Sequence, residues 1–135
     1  MSRRSFINIL ENVFQPTVNQ GMRSDLLGTS PKVTTLTSET TLAINFSESA
    51  SHEVTTGAQN LSAVTAVLGD LKDGERVLLK VTQGGTARTW GWSTGFAFAG
   101  GSGPVVTSGS TAVDLFEGIV SGGKIVLRII AQNIS

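Results

Sequence analysis

Apolar and polar residues alternate through the stretch from residue 77 to residue 98, and this pattern predicts the centre of the fold. The apolar positions of a first strand share one face: Val77, Leu79 and Val81. Gln83-Gly84-Gly85-Thr86 is typical of a tight turn, because glycine adopts positive φ without a Cβ clash. Four aromatic residues follow on or beside a second strand: Trp90, Trp92, Phe96 and Phe98. We therefore expect a β-hairpin whose aromatic residues form the core.

Further short runs of alternating residues predict more strands. They cover residues 40–46, 60–67, 112–120 and 124–131, and Ser121-Gly122-Gly123 indicates a hairpin turn between the last two. The nearly continuous apolar run Lys124–Ala131 favours a strand that is buried on both faces. Residues 47–57 are polar and predict a surface loop that carries His52. Regularly spaced turns predict an all-β protein, an antiparallel β-sandwich or a barrel-like knob.

The first 39 residues differ in pattern and predict an extended N-terminal arm, with the knob domain spanning residues 40–135. Between Phe6 and Phe14 the spacing fits a short amphipathic helix, and a strand clamped by a neighbour is the alternative. Such an arm is expected to be ordered by a partner or a neighbouring subunit. The residues predicted to anchor it are Arg3, Arg4, Phe6, Ile9, Leu10, Val13 and Phe14.

Charge and composition limit the kinds of molecule that the protein is expected to bind. The chain has ten basic and ten acidic residues, and only 15% of its residues are charged. Apart from Arg3-Arg4 there is no positive cluster of the kind that nucleic-acid binding requires, so we expect no nucleic acid. The longest apolar run, residues 125–131, is too short to cross a bilayer, so we expect no membrane partner. Cysteine is absent, which excludes disulfides and thiolate metal sites.

No pattern of catalytic residues stands out. His52 is the single histidine, and no Gly-x-Ser-x-Gly turn accompanies it. Asp70 and Asp73 are spaced poorly for a calcium loop and are expected to be solvated turn residues. Asp114 and Glu117 lie three apart on a predicted strand, so their carboxylates should face opposite ways. We therefore predict a protein that is not an enzyme, with no catalytic residues, no metal and no cofactor.

The two tryptophans allow two interpretations. A tryptophan in a strand of alternating polarity buries a large apolar area, which favours a role in the core or at a subunit interface. An exposed indole face also stacks on sugar rings, so contact with a host surface glycan is the alternative. The candidate contact residues are Trp90, Trp92, Phe96 and Phe98.

Several motifs between residues 40 and 131 carry a resemblance to a family. They are Leu79-Lys80-Val81-Thr82-Gln83-Gly84-Gly85-Thr86, Thr89-Trp90-Gly91, Gly100-Gly101-Ser102-Gly103-Pro104 and Ala112-Val113-Asp114-Leu115-Phe116-Glu117. This succession resembles a β domain of tailed-bacteriophage virion proteins, which occurs in tail fibres, head fibres and decoration proteins. The closing strand departs from the family pattern, because Gly123-Lys124-Ile125-Val126 lacks the usual aromatic residue.

The resemblance implies a function on the virion, at the capsid surface. We expect a capsid decoration or cement protein that binds the major capsid protein and forms a homo-oligomer, commonly a trimer in this family. A tail-fibre or head-fibre module that binds a host receptor glycan is the alternative.

Overall fold

The computed structural model describes residues 31–134, which form nine β-strands and one short 3₁₀ turn. The strands are β1 (Lys32–Thr35), β2 (Thr41–Asn45), β3 (Ser51–Thr55), β4 (Leu61–Val67), β5 (Arg76–Thr82), β6 (Trp90–Trp92), β7 (Phe96–Phe98), β8 (Val113–Ser121) and β9 (Lys124–Ile134). The 3₁₀ turn covers Ala99–Gly101. The prediction of an all-β fold is confirmed.

The strands build two sheets that the chain enters alternately. One sheet has six strands in the order β1-β3-β5-β8-β9-β7, and the other has three in the order β2-β4-β6. From β1 to β6 the chain crosses from one sheet to the other after each strand, so successive strands within a sheet run parallel. Three stacked coils of chain result, each contributing one strand to each sheet.

A hairpin of β8 and β9 completes the larger sheet. Its two-residue turn is Gly122-Gly123, and both residues have positive φ, 62° and 78°. That conformation matches the twist of the adjoining strands and explains the glycine pair. The hairpin pairs antiparallel with β5 through β8, and β7 pairs parallel with β9 at the far edge. The predicted turn at residues 121–123 is confirmed.

The core lies between the sheets and is filled by alternate residues of each strand. The predicted inward face of β5 is confirmed, since Val77, Leu79 and Val81 are buried. Opposite Leu79 on β8 lies Phe116, which is also fully buried. From the side of the smaller sheet, Ile44 on β2 and Phe46 just after it are buried in the core. The alternation along the chain therefore predicts correctly which side of these strands faces inward.

Strand pairing differs from the antiparallel arrangement that the sequence predicts. Five of the seven pairings are parallel, and only β5–β8 and β8–β9 are antiparallel. In particular β5 and β6 do not form a hairpin, because β6 pairs with β4 in the other sheet. The Gly84-Gly85 segment is instead a corner between sheets. It is held by the Gln83 side chain, whose Oε1 accepts the N–H of Arg88 at 2.9 Å.

Three further expectations are corrected. The β domain begins before residue 40, because β1 lies in the segment predicted as an arm and pairs with β3. Residues 47–57 are not simply a loop, since they contain β3, and His52 is buried there with 3% of its surface exposed. Strand β9 is buried on one face only as far as Leu127: Ile125 and Leu127 are buried and Val126 is exposed, whereas Ile129 and Ile130 are both exposed.

Candidate functional site

The aromatic residues singled out in the sequence form one cluster. The Trp92 ring has Trp90, Phe96, Phe98 and Phe116 around it, with ring centroids 5.0 to 5.4 Å away. Most of these pairs meet edge to face, which is a favourable geometry for aromatic rings. Trp90 and Phe96 are buried, while Trp92 and Phe98 are half-buried. The structure thus brings the four candidate contact residues together at one end of the core.

Trp92 is fixed on two further sides by the loop that follows β7. Its Nε1 donates a hydrogen bond to the carbonyl oxygen of Pro104 at 2.8 Å. The backbone of Gly103 lies so close to the indole that a Cβ at residue 103 would overlap the Trp92 ring. Because backbone covers part of the indole, this tryptophan is better placed to hold the loop than to stack on a sugar.

A shallow depression of about 470 Å³ lies beside the cluster. It is lined by Trp92, Ser93, Phe96, Ala97, Phe98, Gly101, Gly103 and Lys124. The rim therefore combines half-buried aromatic rings with one cationic side chain. Such a surface suits an amphipathic ligand, in which apolar faces alternate with polar groups.

The outward face of the larger sheet carries a second feature, an apolar strip beside an ion-pair network. Glu117 on β8 pairs with Arg76 on β5 at 3.0 Å and with Arg128 on β9 at 2.8 Å. In the next row Ile119 lies directly opposite Val126, and both are about two-fifths exposed. We call Arg76, Glu117, Ile119, Val126 and Arg128 the outer patch.

The two arginines of the outer patch keep the Glu117 carboxylate ionised. Hydrogen bonds from Arg128 lower the pKa of Glu117, against the opposing effect of its partial burial, and Arg76 adds to the lowering. The carboxylate thus stays ionised well into the acidic range. Two arginines share this one carboxylate, so the centre of the outer patch has an excess of positive charge.

The buried side chain of Gln83 forms hydrogen bonds near the loop between β7 and β8. Gln83 is fully buried, and its Nε2 donates to the carbonyl oxygens of Arg88 and Thr107 at 2.9 and 3.0 Å. Its Oε1 also accepts the hydroxyl of Thr56 at 2.9 Å. The N–H of Thr107 in turn donates to Asp114 Oδ2 at 2.7 Å. These bonds hold the segment after Pro104 against the core.

Asp114 is buried and accepts hydrogen bonds from Thr107, Gln132 and Asn133. Burial alone would raise its pKa, but N–H donors from Thr107 and Asn133 and the side chain of Gln132 outweigh that effect and lower it. Glu117 projects from the opposite face of β8, as the sequence predicts. The two carboxylates therefore do not form the facing pair that glycoside hydrolysis requires.

His52 is likewise surrounded by protein. Its ring packs edge to face against Phe46 at 5.0 Å, and its Nε2 lies 3.0 Å from the carbonyl oxygen of Asn45. Burial lowers the pKa of the imidazole below its ordinary value of 6.5. Within residues 31–134, no three His, Cys, Asp or Glu side chains come together as a metal-binding group. No helix in that range is long and apolar enough to cross a bilayer.

Comparison with protein-family models, with curated protein sequences and with solved structures gives no match to this chain. The seven residues predicted to anchor the arm, Arg3 to Phe14, lie outside the described residues, so their role stays a prediction. Contact of Trp90, Trp92, Phe96 and Phe98 with a partner or a glycan also stays a prediction.

The outer patch was missed by reasoning from sequence. The run Lys124–Ala131 predicts burial on both faces, although the described chain buries only Ile125 and Leu127 of this run. Arg128 in the middle of that run was the available signal, because a charged residue flanked by apolar ones on a strand indicates an outward face.

Proposed function

We propose that this chain is a non-enzymatic structural protein of a tailed-phage virion, most specifically a decoration protein that binds the major capsid protein. The observation that carries the proposal is the outer patch, where Ile119 and Val126 lie partly exposed on the larger sheet beside the ion pairs of Glu117. Contiguous apolar surface on a sheet face suits a protein contact. The sequence motifs from residue 79 to residue 117 supply the link to virions.

The mechanism is mechanical. A sheet face that combines apolar side chains with excess positive charge fits a partner surface that is apolar and carries acidic residues. Each contact is small, but a decoration protein is attached at many equivalent positions, and a homo-oligomer engages several capsid subunits at once. Simultaneous attachment raises the overall affinity without new chemistry. The capsid is thereby held together against the pressure of packaged DNA.

The direct experiment removes the protein from particles and adds it back. We expect stripped particles to release their DNA at a lower temperature than intact ones, and purified protein to restore the original temperature. A DNA-binding dye reports release during heating. Stripped and intact particles that release DNA at the same temperature would rule out the cementing role.

A second candidate function is binding of a host surface glycan, which the aromatic depression beside Phe98 and Lys124 favours. Phe98 is the better residue to test, because Trp92 holds the loop through Pro104 and its removal would disturb the fold. A glycan array with wild-type protein and Phe98→Ala distinguishes the candidates. Binding of a defined glycan that is lost in Phe98→Ala, with thermal stability retained, would favour a receptor-binding module over a decoration protein.

A further inference from the structure

The end of the fold formed by β1 and β2 has an open cleft between the two sheets. Within residues 31–134, β1 pairs only with β3 and β2 only with β4, so each strand has one edge without a partner strand. The cleft has a volume of about 350 Å³ and is lined by Lys32, Thr34, Leu42, Ala43, Ile44, Asn45, Glu48, His52 and Val54. Both unpaired edges border this cleft.

These edges are regular, which is the condition for adding a further strand. Every residue of β1 and every residue of β2 lies in unbroken register with its neighbour, without a bulge. A regular edge beside a cleft that is lined in part by Leu42, Ile44 and Val54 is suited to strand addition, because backbone hydrogen bonds give affinity and the cleft accepts side chains.

We propose that a second copy of this chain occupies this end, so that β2 pairs antiparallel with β2 of the other copy across a twofold axis at Ala43. In that register Leu42 of one copy lies opposite Ile44 of the other, and both face the cleft. Thr41 lies opposite Asn45 on the outward side. The pattern of inward and outward residues is therefore preserved across the new pair.

Two observations favour a second copy over an unrelated strand. An incoming partner must cover the free edges of β1 and β2 at once. These edges are separated by the distance between the two sheets, and a second copy of the chain presents its own two edges at the same distance. Charge is also compatible: β2 has no charged residue, and the single charge of β1, Lys32, is paired with Glu48 at 2.6 Å. No like charges are brought together along β2.

A cysteine placed on the proposed axis tests the pairing directly, because the natural chain has no cysteine. Ala43 is exposed and its side chain lies on the face of β2 opposite to Leu42 and Ile44, so Ala43→Cys leaves the core unchanged. Antiparallel neighbours have Cα atoms about 4.5–5.5 Å apart, within the range of a disulfide. Thr65→Cys is the matched control, since Thr65 lies opposite Ala43 on β4. Its symmetry mate would be about 14 Å away, three strand spacings.

We expect the full-length Ala43→Cys protein to form covalent dimers under mild oxidation, on a non-reducing gel, and Thr65→Cys to remain largely uncrosslinked. Mass photometry of the wild-type protein should give an even number of chains. Ala43→Cys that crosslinks no more than Thr65→Cys would overturn the proposal, as would a wild-type mass of three chains. The interface does not involve the outer patch, so its failure would leave the proposed attachment to capsids unaffected.

Discussion

The indole Nε1 of Trp92 donates a 2.8 Å hydrogen bond to the carbonyl oxygen of Pro104, twelve residues further along the chain. This bond joins the short strand β6 to the loop that passes over the aromatic cluster. It gives the half-buried Trp92 a polar partner for its one polar atom. Trp92 therefore connects the core to the loop between β7 and β8.

Replacing Trp92 by phenylalanine should separate the hydrogen bond from the ring packing. Trp92→Phe retains an aromatic ring but loses the donor, so the carbonyl of Pro104 is left without this partner. We expect the free energy of unfolding to fall by about 1–3 kcal/mol. Urea unfolding followed by circular dichroism measures the change. Val105→Ala in the same loop is the control, because Val105 is 85% exposed and its truncation should cost little.

Gly103 should tolerate no side chain, because its backbone lies against the indole of Trp92. Gly103→Ala forces either the ring or the loop to move, and we expect destabilisation of about 1–3 kcal/mol. Gly85→Ala is a matched control, since a Cβ there meets no atom within 4 Å. Thermal unfolding of the two variants gives the comparison. Equal melting temperatures for them would contradict the close packing of the loop.

The buried network around Gln83 should be sensitive to loss of the Thr56 hydroxyl. That hydroxyl donates to Gln83 Oε1 and accepts the N–H of Gly84, both at 2.9 Å. Thr56→Val keeps the shape but leaves these groups without a partner, so we expect a loss of about 1–3 kcal/mol. Thr55→Val, at the preceding residue and on the outward face of β3, should change the stability by less than about 0.5 kcal/mol. Chemical denaturation of both variants tests the difference.

Acidification should weaken the fold through His52. Its pKa is lowered in the folded protein, so the unfolded chain binds a proton more readily than the folded chain does. The contribution of His52 to the free energy of unfolding is therefore fully present above pH 6.5. It falls as the pH drops from 6.5 towards the lowered pKa of the folded protein. The charged groups facing His52 are Lys32, which disfavours protonation, and Glu48, which favours it.

The measurement is the urea midpoint at about pH 7.5 and about pH 5. We expect the midpoint of the wild-type protein to fall between these values, and that of His52→Gln to change much less. Four carboxylates have lowered pKa values, Glu39, Glu48, Asp114 and Glu117, and their contributions are lost only as the pH falls below their ordinary pKa values of 4.5 (Glu) and 3.8 (Asp). Equal pH dependence in the two proteins would show that His52 is not the responsible group.

Structural features that are set by residues close together in the chain could be predicted from the sequence. The inward face of β5 and the Gly122-Gly123 hairpin follow from local alternation and from the conformations open to glycine. The grouping of Trp90 with Trp92 also follows, because residues two apart on a strand share a face. The central aromatic cluster was therefore accessible from sequence.

Strand partners could not be predicted, because the deciding contacts are distant in sequence. A Gly-Gly turn serves equally in a hairpin and in a corner between sheets, and here Gln83 fixes the corner by bonds to Thr56 and Thr107. Strand β3 was missed since His52 and its polar neighbours lack apolar alternation. The outer patch was missed because an apolar run does not reveal whether another layer covers its second face.

The most direct test of the account is whether the outer patch attaches the protein to capsids. Ile119→Glu places a charge at the centre of the apolar strip, whereas Val67→Glu makes the same change at an equally exposed position on the smaller sheet, 40% against 39%. Co-sedimentation with stripped particles measures binding. We predict that Ile119→Glu loses binding while Val67→Glu binds as the wild type does. Undiminished binding of a folded Ile119→Glu protein would contradict the proposed attachment.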